Sequence, residues 1–317
     1  MKLGALVWNQ YTDWQSLRDT GAHVDRLGYD SLWTWDHLYP IVGDHTGPMF
    51  EGYVTLAGWA EHTERVRLGL MVGANTFRNP ALVVKMVTAL DHMSGGRMWL
   101  GIGGAWFETE HTAMGIEFGS GFGERLDWFD ESVELMRAML PGGPASARGA
   151  FYAATDVLNN PPPVQEHLPI LIGGSGERKT LHTVAKYADG WNTGGDLERV
   201  KHKDEVLRRW CDEVGRDESE IERTLSAGAV IVRDTETEAR NVAEAWAERN
   251  RLPDWRGSGP FGPPELVAEK WASYLDLGFD HIYVDCPAPF DHETLERLVR
   301  EVKPMLEKHG GNSRFPP

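Results

Sequence analysis

The sequence predicts an α/β fold, a (β/α)8 TIM barrel with insertions. Short apolar runs alternate with longer stretches of helical period, which implies a parallel sheet. Eight such runs are present, each followed by a helix, and five or six would instead favour an open doubly wound sheet. The 317 residues accommodate them, since eight units of roughly 30 residues use about 240.

The first run is Leu3–Trp8, followed by a helix around Trp14–Leu27 with Leu17, Val24 and Leu27 at helical spacing. Ser31–Trp35 comes next, then a polar loop, a helix near Tyr53–His62 and the run Val66–Val72. The helix Pro80–His92 has proline in its first turn and Ser94-Gly95-Gly96 as its stop. Met98–Ile102 is the fourth run, and the helix Arg125–Leu140 sets Leu126, Phe129, Val133, Met136 and Leu140 on one face. Pro169–Ile172, Gly190–Thr193, Ala227–Val232 and Asp280–Val284 complete the eight. One barrel domain spanning 1–317 is expected, with a proline-rich insertion at about 141–168 and a mobile loop at about 252–264. A third long loop is Tyr39–Gly52, and the tail Gly310–Pro317 is expected to fray. Loops this long in a compact domain are commonly functional lids.

Apolar residues make up 41% of the chain, enough for a sizeable core. The formal net charge of -16 repels nucleic acid phosphates and anionic lipid, which excludes both as partners. An anionic ligand then needs a local site of basic side chains or backbone N–H groups. The two cysteines, Cys211 and Cys286, form no CxxC, so neither a disulfide framework nor a structural zinc site is expected. With no secretory leader and no apolar stretch of ~18 residues, a cytoplasmic protein is expected.

A barrel carries its active site where strands end and loops begin. Gly101-Ile102-Gly103-Gly104-Ala105-Trp106 matches a dinucleotide fingerprint only in part, because Trp106 replaces the third glycine. A tight turn under a bulky ligand suits it better. Ile172-Gly173-Gly174-Ser175-Gly176-Glu177-Arg178-Lys179-Thr180 is not a Walker loop, yet it is a glycine-rich turn from strand into helix. Its N–H groups, with Ser175, Thr180 and Lys179, suit a phosphate; the alternative is an ordinary turn capped by Ser175. Asp36-His37 suits acid–base work, with His37 at the reacting centre and Asp36 fixing the loop or accepting a cofactor hydrogen bond. A purely structural pair is the alternative, and adjacent residues on an extended chain diverge too far to share a metal. No metal site is expected. Glu108, Glu110 and His111 follow the fourth run, while Trp8, Trp35 and Trp106 at strand ends suit a flat, conjugated ligand. Arg78 and Lys85 are placed near the mouth, where a charge is more often solvated than ligating.

Several of these segments together are specific. Trp35-Asp36-His37, Gly73-Ala74-Asn75-Thr76-Phe77-Arg78-Asn79-Pro80, Asp91-His92-Met93-Ser94-Gly95-Gly96-Arg97 and Leu100 to His111 occur in order. With Pro169 to Gly176 and Ala188-Asp189-Gly190-Trp191-Asn192, the chain resembles the bacterial luciferase-like flavin and deazaflavin oxidoreductases along nearly its whole length. It most resembles the branch that uses the 8-hydroxy-5-deazaflavin coenzyme F420, though FMN-dependent relatives share much of the pattern.

The resemblance implies a tricyclic ring in the barrel mouth and a phosphate near Gly173–Gly176. It also implies a non-proline cis peptide at the end of the third strand, within Val72–Ala74. The cofactor-binding residues it implies begin with Asp36, Val72, Gly73, Ala74, Asn75, Gly104, Ala105 and Trp106. Ile172, Gly173, Gly174, Ser175, Gly176, Lys179, Thr180 and Asn192 complete them. The catalytic candidates are His37 and Glu108, with the general acid left open between them. A local basic patch of Lys179, Arg178 or Arg78 is expected for the acidic coenzyme tail. Family members are often homodimers acting on small molecules. Two departures argue against a sugar-phosphate substrate: Trp106 replaces the glutamate that sugar-phosphate dehydrogenases of the family carry, and Ile41 replaces their tryptophan. The expected activity is F420-dependent hydride transfer, with FMN-dependent monooxygenation as the alternative. A non-catalytic flavin-binding barrel and a barrel hydrolase with two carboxylates ~5–10 Å apart are the readings from other classes.

Overall fold

In a computed structural model describing residues 1–252 and 259–312, eight parallel strands form a ring. They are β1 (Lys2–Val7), β2 (Ser31–Thr34), β3 (Arg67–Leu70), β4 (Leu100–Gly103), β5 (Ile170–Gly173), β6 (Gly190–Thr193), β7 (Glu222–Ala229) and β8 (His281–Cys286). β3 breaks at Met71–Val72 and resumes at Gly73–Ala74, which pairs with β4. β8 returns to β1 with His281 opposite Lys2, and a bridge between Leu68 and Met98 brings β3 to the start of β4. This is the expected barrel.

The wrapping helices begin and end where the local chemistry directs. α1 (Trp14–Leu27) starts on Asp13, whose carboxylate accepts from the Ser16 N–H. α2 spans Gly52–His62. α3 (Pro80–Ser94) starts on Asn79 with proline in its first turn and ends on Gly95 in the left-handed region. Then follow α4 (Glu108–Met114), α5 (Phe122–Met139), α6 (Thr180–Tyr187), α7 (Leu197–Val214), α8 (Glu236–Arg249) and α9 (Pro264–Leu275). Among the described residues no helix is long and apolar enough to cross a membrane.

Apolar side chains divide into two layers. Leu3, Ala5 and Val7 of β1 face the helices, whereas Leu6 joins Trp33, Met71, Trp99, Leu171 and Tyr283 inside the ring. Period-2 alternation separates the layers. The interior rings are bulky, and Gly69 makes room for Trp33: a Cβ there would lie 2.3 Å from the indole. This aromatic plug fills the barrel below the strand ends and leaves the cavity above them.

The seventh run departs from expectation. Ala227–Val232 was the expected strand, but β7 begins at Glu222, and Ile231–Val232 leaves the ring to pair with Phe261–Gly262. The start of β7 is polar yet buried, because Arg223 pairs with Asp204 and Glu218, so hydropathy does not mark it. Residues 141–168 carry an antiparallel hairpin, Ala145–Arg148 with Ala153–Val157, tied to α5 by the Glu131 carboxylate. Of the expected mobile loop at 252–264, residues 253–258 lie outside the described residues, as do residues 313–317 of the tail.

Candidate active site

A cavity of about 430 Å³ opens at the C-terminal ends of the strands. Trp35 and Trp106 give it aromatic walls, and the interrupted end of β3 forms its floor. The interruption is a cis peptide joining Met71 to Val72, one bond ahead of the expected window Val72–Ala74. Val72 is clasped by Gly103 and Gly173, where a Cβ would approach its methyl groups to 2.7 and 2.8 Å. Only glycine lets the β4 and β5 ends close this tightly beneath a ligand.

Asp36 holds the bulge. Its Oδ2 accepts from the Ala74 N–H at 2.9 Å and from Arg78 Nη1 at 2.7 Å, while Arg78 Nη2 reaches Oδ1 at 3.0 Å. Arg78 also pairs with Glu51 at 2.5 Å and lies 4.7 Å from the Tyr53 ring centroid. Burial raises the Asp36 carboxyl, and Arg78 opposes that rise. Fixing the loop is therefore what its geometry accomplishes. Arg78 is committed here and adds no free charge to a basic patch for the coenzyme tail. Lys85 is not at the mouth either, since its amine reaches the Asn160 carbonyl at the insertion.

His37 lines the cavity and meets Trp106 edge-on, with centroids 5.6 Å apart. Its Nδ1 lies 2.8 Å from Oε1 of Glu110, whose Oε2 accepts from the Leu38 N–H at 2.7 Å. The carboxylate assigns the proton to Nδ1, leaving Nε2 as the ring nitrogen for a ligand. Glu110 is buried, whereas Glu108, the expected catalytic carboxylate, is exposed and outside the lining. Both stand in the first turn of α4, but two residues turn a helix by about 200°, so only one faces the barrel. His111 bridges the Phe107 carbonyl and the Thr76 hydroxyl, and burial lowers its pKa, which marks it as a structural histidine.

On the other side, Gly173, Gly174, Ser175 and Gly176 lead from β5 to Thr180 at the start of α6, all lining the cavity. The Trp191 indole donates to the Gly174 carbonyl at 2.8 Å and anchors the turn. The N–H groups of Ser175 and Gly176 have no protein acceptor among the described residues, so they are available to an anion. Arg199 of α7 donates to the Ser175 hydroxyl at 3.2 Å. Lys179 instead pairs with Asp127 at 2.6 Å and lies outside the lining. Asn192 lines the cavity, held by Thr224 at 3.0 Å and Ser226 at 2.9 Å.

The luciferase-like monooxygenase family model matches residues 3–278. The chain belongs to that family. It is 26% identical to the F420-dependent glucose-6-phosphate dehydrogenase of Microbacterium testaceum, over 92% of this chain and 93% of that one. An uncharacterised protein of Mycobacterium tuberculosis is 31% identical over 75% of this chain and 80% of its own. Among solved structures, the coenzyme F420-dependent tetrahydromethanopterin reductase of Methanopyrus kandleri superposes with a TM-score of 0.80 at 18% identity, covering 96% and 99% of the two chains.

This luciferase-like barrel brings most of the expected residues to one cavity. Asp36, His37, Val72, Gly73, Ala74, Gly104, Ala105, Trp106, Gly173, Gly174, Ser175, Gly176, Thr180 and Asn192 all line it. Besides Glu108 and Lys179, it leaves out Ile172, which points into the helix-facing core, and Asn75, whose amide is buried against Ser132 of α5. Glu110 and Asp285 stand at or just beyond strand ends, where a barrel collects its site, but are not among the expected site residues. Helical sidedness within α4 marks the first. Alternation along His281, Tyr283 and Asp285 marks the second as inward-facing.

Proposed function

We propose that this protein is a coenzyme F420-dependent oxidoreductase that moves a hydride between the deazaflavin and a small organic substrate. The observation that carries the reading is the cavity, a slot between aromatic walls and a glycine-clasped bulge with free N–H groups at one end. Such a slot suits a flat ring with a phosphate-bearing chain. Its support from relatives is the likeness to F420-dependent dehydrogenases over more than nine-tenths of both chains.

In this reading Val72, Gly73, Ala74, Gly104 and Ala105 hold the ring, and Trp35 and Trp106 exclude water from its edge. Ser175, Gly176 and Thr180 hold the phosphate, and Arg199 rather than Arg78 or Lys179 meets the acidic tail. Asp36 and Arg78 keep the bulge in shape. Glu110, in place of Glu108, orients His37 so that Nε2 keeps a protonatable nitrogen against the ligand. When bound, the deazaflavin supplies a two-electron hydride carrier.

In the same reading the enzyme works in the cytoplasm as a homodimer, and sedimentation at twice the chain mass is the expected result. Two free, buried cysteines suit a reducing compartment. Fluorescence titration of the apoprotein tests the coenzyme. Tight binding of F420 with weak binding of FMN is expected. The reverse order transfers the assignment to an FMN-dependent enzyme carrying out monooxygenation, the reaction named in the family's description.

A further inference from the structure

Asp285 is the penultimate residue of β8, level with Leu6 of β1 and Ala229 of β7. Tyr283, two residues earlier, belongs to the aromatic plug, so Asp285 sets its carboxyl on top of that plug. It lines the large cavity and also a second, smaller one of about 190 Å³. Trp8, Ala229, Trp246, Ala247 and Asn250 line the smaller cavity, so its walls are largely aromatic and aliphatic. Asp285 is the residue the two cavities share.

No cation pairs with this carboxyl among the described residues. β1 presents the Trp8 indole, β7 presents Ser226 and Ala229, and α8 presents Trp246, Ala247 and Asn250, all uncharged. The other titratable groups lining the large cavity are already engaged, Asp36 with Arg78 and Glu110 with His37. Burial pushes the Asp285 carboxyl up to about 7, with the Trp8 indole pulling the other way. An interior carboxyl with only an uncharged indole beside it costs folding free energy, and such groups concentrate at functional sites.

We propose that Asp285 exchanges the substrate's proton, and that the substrate is a small, largely apolar alcohol or ketone seated in the smaller cavity. This rests on the hydride-transfer reading above. In the oxidative direction the alcohol's C–H electron pair leaves as hydride to the deazaflavin, the O–H proton passes to the Asp285 carboxylate, and the C=O bond forms. In reverse, hydride adds to the carbonyl carbon while the carboxylic acid returns the proton to oxygen. His37 serves the large cavity from the other side of β1, and Asp285 serves the substrate.

The test uses cyclohexanone and cyclohexanol as probes, with dissociation constants from ligand-observed NMR on the full chain, with and without F420. Only the protonated carboxyl donates to a ketone. Cyclohexanone should therefore bind roughly tenfold tighter at pH 6 than at pH 8, the ratio of protonated carboxyl for a group titrating near 7. Cyclohexanol should show the opposite trend. Asp285→Asn should remove the pH dependence of both. Ala247→Phe fills the smaller cavity from α8 and should abolish probe binding while leaving the F420 titration unchanged. Millimolar probes that fail to bind, or a pH dependence that survives in D285N, overturn the proposal. Failure of F420 to bind the wild type, with the probe results intact, overturns the coenzyme assignment instead.

Discussion

One carboxylate, Glu110, fixes both the ring and the backbone at the end of β2: it meets His37 Nδ1 at 2.8 Å and the Leu38 N–H at 2.7 Å. The contact spans 73 residues of sequence, and the carboxylate is almost fully buried. The direction of His37 is thus set by a helix that begins after β4, not by its own loop.

Replacing Glu110 by alanine leaves two donors unpaired in a dry wall. Unfolding free energy should fall by about 2 kcal/mol in urea titrations, whereas Glu110→Gln should lose less because it keeps an acceptor for Leu38. An E110A protein as stable as the wild type refutes the positioning role.

Asp36 and Arg78 form the second fixed pair, at 2.7 and 3.0 Å. Arg78→Ala strands a buried carboxylate against the bulge and should cost about 3–5 kcal/mol. Pairing Arg78→Met with Asp36→Asn should recover much of that loss, because no charge remains to desolvate. A double-mutant cycle by chemical denaturation gives the coupling, and additive losses contradict it.

At the opposite end of the barrel, a relay runs from the Trp33 indole to Ser31, then to His281 Nε2, and from His281 Nδ1 to Glu222 at 2.6 Å. Burial raises the Glu222 carboxyl, but His281 and Lys2 outweigh it and lower it from 4.5 to about 2. A depressed acid stabilises the fold above its unfolded pKa, so this contribution is present above pH 4.5 and lost as pH falls from 4.5 to 2. Burial also lowers His281, and protonating it works in the same direction. Thermal melts of Glu222→Gln should show a flatter pH dependence across that window than the wild type.

Arg199 gives a prediction specific to the anionic tail. Arg199→Ala should weaken F420 binding severalfold by fluorescence titration, but leave unchanged the affinity for a ring-and-ribityl fragment without phosphate. Equal losses for both ligands assign Arg199 to the ring instead.

The barrel was legible in the sequence because its strands are buried on both faces and read as continuous apolar runs. β7 was the exception, since its opening Glu222-Arg223-Thr224 is polar and is buried only through partners on other elements. Gly173–Gly176, Asp36 and His37 were legible because each lies at a strand end, where a barrel collects its site. Glu108 and Lys179 stand in turns with the right chemistry, but helix sidedness and an Asp127 partner direct them elsewhere.

Local sequence specifies the period and order of the units, the turns that stop the helices, and the residue types gathered at the strand ends. These follow from local sterics and from apolar spacing over a few residues. Packing between distant segments settles which charges are already paired, which glutamate reaches His37, and that Asp285 lies between two cavities with no cation beside it. Pairing and burial arise between segments tens to hundreds of residues apart, and no local pattern records which of them meet.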